Sequence, residues 1–120
     1  MTQKIPNIYD PNCPTRLILD RIADKWTVLI IGQLQNGTMR FSELKRTIPG
    51  ITQKVLTQTL KGLDRDGVIT REVFATIPPK VEYTLTELGK SLIDVVDAIR
   101  LWAESNIGHI LKAQGKYDTA

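Results

Sequence analysis

The residues with the most to offer chemically are Gln53, Lys54, Thr57, Gln58 and Lys61, which share one side of an amphipathic stretch at three- and four-residue steps. That side is polar yet mostly uncharged, which suits reading a partner more than merely attracting it. Glutamine amides bond adenine edges in the major groove, a lysine donates to guanine, and a threonine touches a thymine methyl or a phosphate. Lys61, with Arg40, Arg46 and Lys80, suits phosphates, which position a protein without carrying sequence information. Thr52 and Thr76 complete the candidate DNA-binding set. The alternative is an ordinary solvated helix surface, and residue types alone leave both readings open.

Other chemistries find little support. Cys13 is the single cysteine, which rules out a disulfide within one chain and a cysteine-based zinc site. His109 is the single histidine, with no H-E-x-x-H pattern and no acidic cluster, so neither a metal nor a cofactor is expected. Nucleophilic catalysis would need a base beside Cys13, and no pattern joins it to His109, which reads as solvated. An enzyme is therefore the weakest functional class. Cys13 precedes Pro14 at the expected start of a helix, where the positive end of the dipole favours a thiolate. Position leaves two roles open: an oxidant or electrophile sensor, or a small buried residue at a helix start. As a sensor it could form only a link to Cys13 of a second subunit, a mixed disulfide with a small thiol, or a sulfenic acid.

These residues need elements to hold them. With 120 residues and 42% hydrophobic content, one compact domain is expected. No apolar run reaches the roughly 20 residues of a membrane span, and the N-terminus lacks a secretory pattern, so no membrane partner and a cytoplasmic location are expected. Net charge is +3, unevenly spread: residues 38–80 carry eight basic side chains against four acidic, residues 81–104 two against five. A basic middle favours a polyanion through release of condensed counterions.

The spacing predicts a first helix over 14–23, with Pro14 at its first position and Leu17, Ile18 and Ile22 along it. Asp24 caps a second helix with Trp26, Leu29, Ile30 and Leu34 on its apolar side. Phe41, Leu44 and Ile48 mark a short third helix stopped by Pro49-Gly50. Thr52 caps a fourth, running to Asp66, with Ile51 and Leu56 as a hydrophobic staple and Val55, Leu56, Thr59, Leu60 and Leu63 inward. Residues 68–74 and 80–84 read as a hairpin whose connection, 75–79, contains two prolines and makes a stiff tip. Two helices joined by a tight turn and followed by a basic-tipped hairpin compose a winged helix-turn-helix, in which the second helix enters the major groove and the hairpin reaches backbone or minor groove. The fold class is mainly α with a small β-hairpin wing, flanked by N- and C-terminal dimerisation helices. Its divisions are an arm and first helix at 1–23, a DNA-binding core and wing at 24–84, a dimerisation helix at 85–111 and a fraying tail at 112–120.

Residues 13–102 resemble the HxlR-type branch of the MarR-like winged-helix regulators. The matching residues are Cys13-Pro14, Ile22 with Lys25-Trp26, Arg40-Phe41-x-x-Leu44, Ile48-Pro49-Gly50-Ile51, Leu56-Thr57-x-x-Leu60 and Asp66-Gly67. They continue with Arg71, Pro78-Pro79-Lys80-Val81-Glu82-Tyr83 and Leu85-Thr86-x-x-Gly89. The resemblance implies a dimeric bacterial or archaeal regulator that binds double-stranded DNA near its own or a neighbouring promoter. It also implies a small electrophile, oxidant or aldehyde as effector, and it strengthens the sensor role of Cys13.

Dimerisation is also legible in the residues. Thr84 and Glu87 fit a capping box for a long helix on which Leu88, Leu92, Val95, Ile99 and Trp102 recur at steps of four and three. Part of that stripe must pack on the chain's own first two helices. Ile93, Val96 and Leu101 widen it beyond one narrow seam, so Leu17 and the stripe are expected to meet a second copy. A homodimer would set its two reading helices roughly 34–36 Å apart, on a pseudo-palindromic site. Trp26 and Trp102 read as core or interface residues, and Tyr83 as closing the wing against the body. A winged helix used only for protein contacts would present an apolar or acidic reading face instead.

Overall fold

The computed structural model describes residues 7–120, so residues 1–6 of the expected arm lie outside the described residues. In chain order the elements are α1 (Pro14–Ile22), α2 (Lys25–Leu34), β1 (Met39–Arg40), α3 (Phe41–Thr47), α4 (Gln53–Arg65), β2 (Ile69–Phe74), β3 (Lys80–Leu85), α5 (Glu87–Lys90) and α6 (Ile93–Asp118). A mostly helical body carries a three-stranded antiparallel sheet in the order β1-β3-β2, the wing of a winged helix fold. The core lies where α2, α3, α4 and the roots of the strands converge: Ile30, Ile31, Leu44, Leu56, Leu60, Leu63, Ile69 and Leu85 are buried there with Val96 of α6.

Local chemistry explains the element boundaries. The Asp24 carboxylate accepts from the backbone N–H groups of Trp26 and Thr27 at 2.8 and 3.3 Å, satisfying donors at the start of α2 that have no partner within the helix. Thr52 does the same for α4, its hydroxyl oxygen accepting from Val55 N–H at 3.1 Å. Ile51 and Leu56, the expected staple, are both buried. Between α3 and α4 the chain reverses at Gly50, whose φ of 88° is a conformation a Cβ resists. Inside α2, Thr27, Ile30, Ile31 and Leu34 are the buried residues. Leu29, expected among the inner positions, falls on the opposite side at 100° per residue and is exposed.

The hairpin falls within one residue of the expected bounds, with β3 continuing to Leu85 and a third strand added at its root. β2 and β3 pair from Ile69↔Leu85 to Phe74↔Lys80, leaving residues 75–79 as the tip. The two-residue β1, too short to register as a strand pattern, adds Met39↔Tyr83 and Arg40↔Glu82. Because β3 continues to Leu85, Thr84 is a strand residue opposite Thr70 and not the expected helix cap. The cap is Thr86, whose hydroxyl oxygen accepts from Gly89 N–H at 3.1 Å.

The expected single long helix is divided. α5 ends at Lys90, the chain turns through Ser91 and Leu92, and α6 then runs for 26 residues, about 39 Å at 1.5 Å per residue. Leu92 and Ile93 pack against the chain's own core at this turn. The expected tail from Lys112 is part of α6, which runs helical past Gly115 to Asp118. Val96 is its one buried residue and α1 has none, so both flanking helices stand off the body with apolar side chains uncovered. No helix of the described residues is long and apolar enough to cross a membrane.

Candidate nucleic-acid interface

α4 is held by one side and offers the other. Leu56, Leu60 and Leu63 are sunk in the core, which fixes the rotation of the helix about its axis. Gln53, Lys54, Gln58 and Lys61 are exposed and Thr57 is half-buried. Thr52 sits at the tip, its hydroxyl oxygen already engaged in the cap.

The wing stands beside this surface and closes a groove of about 520 Å³ lined by Phe41, Gln53, Thr57, Leu60, Lys61, Asp64, Arg71, Val81 and Tyr83. Arg71 and Tyr83 are paired across β2 and β3 and therefore point to the same face of the sheet. Tyr83 is buried, as its expected role of closing the wing requires, and Arg71 beside it overhangs the groove. Arg71 was part of the family resemblance but not of the candidate site. An exposed arginine between Thr70 and Glu72 carries no sign of its role until the register sets it opposite Tyr83.

A second concavity, between the start of α3 and the wing tip, gathers Arg40, Phe41, Ser42, Thr76 and Lys80. Lys80 Nζ lies 5.0 Å from the centre of the Phe74 ring, an arrangement that holds the ammonium near the tip. The Thr76 hydroxyl donates to the carbonyl of Pro78 at 2.8 Å and tightens the tip itself. Arg40 is exposed and stands opposite Glu82 in the sheet, itself opposite Glu72. Arg46 is exposed in the last turn of α3.

Two expected residues lie elsewhere. Gln58 borders a cleft with Asp20, Arg21, Asp24, Thr27 and Thr59, on the side of α4 towards α1 and α2, apart from the groove shared by Gln53, Thr57 and Lys61. Lys54 borders neither concavity and projects freely. Arg65, not among the expected residues, is exposed at the far end of α4.

Cys13 is the N-cap residue of α1 and only 7% exposed. Its thiol pKa is lowered chiefly by the backbone N–H of Arg16, an effect that burial opposes and Thr15 reinforces. Among the expected interface residues, Leu17 (63% exposed) and Trp102 (62% exposed) stand out into solvent, as do Leu88, Val95 and Ile99. Leu92 does not belong with them, since it packs on the chain's own core. Trp26 also packs there, while Lys25 Nζ lies 4.6 Å from its ring centre.

Known proteins share this arrangement. The HTH-type transcriptional regulator YtfH of Escherichia coli is 40% identical over 105 residues, covering 88% of this chain and 83% of its own. The solved structure of YtfH from Salmonella typhimurium superposes with a TM-score of 0.87 at 38% identity, covering 92% of this chain and 99% of that one. The redox regulator HypR in its oxidised form gives a TM-score of 0.71 at 44% identity, with 78% and 97% of the two chains covered. The HxlR-like helix-turn-helix pattern matches residues 21–110, three quarters of the chain and every element from α2 to the middle of α6. With a helix-turn-helix, a wing and relatives named as regulators, the chain belongs to the HxlR-like helix-turn-helix family and is a DNA-binding transcription regulator, not an enzyme.

Proposed function

We propose that this regulator acts in the cytoplasm as a homodimer of single-domain subunits and reads a pseudo-palindromic promoter site through α4 and the wing. One observation carries the reading: Gln53, Thr57 and Lys61 of α4 border the same groove as Arg71 of β2, so amides able to read bases lie beside cations able to hold phosphates. Gln53 and Thr57 face base edges, Lys54 extends the contact along α4, and Lys61 and Arg71 engage flanking phosphates. Arg40, Arg46, Thr76 and Lys80 grip the backbone on either side, and Thr52 presents the N-terminus of α4 to a phosphate. The uncovered apolar side chains of α1, α5 and α6, Leu17, Leu88, Val95, Ile99 and Trp102 among them, pack against a second copy.

Gel-shift titration against the chain's own upstream DNA, followed by selection from genomic fragments, tests this reading. Salt-sensitive, saturable binding to a two-fold symmetric site is the expected result. Failure to retard any fragment would remove it.

A second element of the proposal is the input. Cys13 is a thiol-based sensor of oxidants or electrophiles, supported by amide donors that stabilise its thiolate and by the likeness to the redox regulator HypR. Cys13→Ser is expected to bind DNA like the wild type but to lose any change of affinity on treatment with a quinone or diamide. An unchanged oxidant response in that variant excludes the role.

A further inference from the structure

The pairing of Arg21 with Asp66 stands apart from the other ion pairs among the described residues. Those lie within α5 or α6, between side chains three or four positions apart, whereas this one joins α1 to the C-terminal end of α4. Nε of Arg21 donates to Oδ2 of Asp66 at 2.6 Å, and both side chains are largely shielded from solvent. The same guanidinium rests against Gly62, one turn earlier in α4, where an added Cβ would collide with Nη1 and Cζ of Arg21.

Two residues of α4 are poor choices for a helix, and one guanidinium accounts for both. Glycine within a helix is entropically unfavourable. Asp66, the C-cap, sets a carboxylate at the negative end of the helix dipole. Arg21 uses the space that Gly62 leaves and brings Asp66 a cation from another helix. α1 has no buried residue, so apolar packing within the chain does not define its attitude to α4. A charge-assisted bond from the Arg21 guanidinium to the Asp66 carboxylate does.

We propose that Arg21 is a positioning residue for DNA recognition. Seated on Gly62 and bonded to Asp66, it locks α4 to α1 and so sets the separation of the two α4 helices in the dimer, making the protein selective for half-site spacing. This rests on the reading of α4 as the paired base reader and of α1, through Leu17, as part of the subunit interface. With both ends anchored, a stiff link gives one separation and a loose link gives a range. The contacts that Gln53, Thr57 and Lys61 make with one half-site do not depend on the link.

The test uses Arg21→Ala, Gly62→Ala and their combination. Gly62→Ala keeps both charges and favours the helix but denies the guanidinium its seat, so it carries the test alone should Arg21→Ala melt early. Each protein is titrated against the selected symmetric duplex and against versions with one base pair added or removed between the half-sites. The wild type is expected to lose on the order of tenfold in affinity for either altered spacing. In both variants that loss shrinks to about threefold, half-site sequence preference is unchanged, and the double variant matches either single one. Spacing discrimination equal to wild type in Gly62→Ala overturns the proposal, as does a change in half-site preference accompanying the relaxed spacing. If the wild type binds all spacings alike, or if Gln53→Ala leaves base preference intact, the reading of α4 as paired reader fails instead and takes the lock with it.

Discussion

At the scale of single residues, the side chains around α4 divide into those that attract and those that discriminate. Lys61 is exposed on the rim of the groove, and its proposed role is to neutralise a phosphate whatever the sequence. Lys61→Ala should weaken binding to every duplex by about threefold to tenfold and lower the slope of log affinity against log salt by about 1. Gln53→Ala should change preference at one base position, by about 1–3 kcal/mol if its amide makes a bidentate contact, with the salt slope unaltered. Salt titrations of both variants on specific and random duplexes check this. Cys13 yields a pH-dependent expectation. The thiolate is the nucleophile, and the lowered pKa raises its fraction at a given pH, so alkylation by iodoacetamide should rise through a midpoint below that of a free cysteine measured alongside. By the same linkage, the thiolate's contribution to stability is present above the unfolded value and is lost as pH falls through the folded one. A rate profile centred at or above that of the free cysteine would contradict the assignment.

At the scale of elements, the junction between the wing and α5 is the most constrained place in the fold. The Thr86 hydroxyl donates to the carbonyl of Gly67 at 2.6 Å, with that of Val68 at 3.0 Å, while its oxygen accepts from Gly89 N–H. Gly89 lies so close to Val68 that an added Cβ would collide with the Val68 carbonyl oxygen and meet Leu85 Cδ2 at 3.0 Å. Because the obstacle is backbone, it cannot swing aside. Gly89→Ala should therefore destabilise the protein by about 1–3 kcal/mol, read as a fall in melting temperature with the DNA site unaltered. The Thr86-x-x-Gly89 spacing was visible in the family resemblance, yet periodicity favoured Thr84 as the cap. Hydrogen-bonding register decided otherwise, because Leu85 is drawn opposite Ile69 and buried.

For the molecule as a whole, the question is what covers α1 and α6. The protein extends 59 × 47 × 24 Å, much of the length coming from a helix with one buried residue. Stable subunit interfaces bury on the order of 1,000 Å² or more, and exposed Leu17, Val95, Ile99 and Trp102 are the side chains with which to do it. Ile99→Asp with Trp102→Glu should convert the proposed dimer to monomers by light scattering and cut affinity for the proposed symmetric site by at least about tenfold, since two half-sites would no longer be bound together. A dimer surviving both substitutions would place the interface elsewhere.

The sequence by itself determined the elements and their polarity. Caps at Asp24 and Thr52, glycines and prolines at the turns, and apolar spacing along α4 act over a few residues, so they were legible without coordinates, as was the family. What lay beyond reach depended on contacts distant in the chain. β1 exists only because β3 is there to pair with it, Arg71 gains its place from strand register, and Gln58 faces α1 and α2 because core packing sets the rotation of α4. The seat of Arg21 on Gly62 joins residues 41 positions apart, and only the tertiary structure could bring them together.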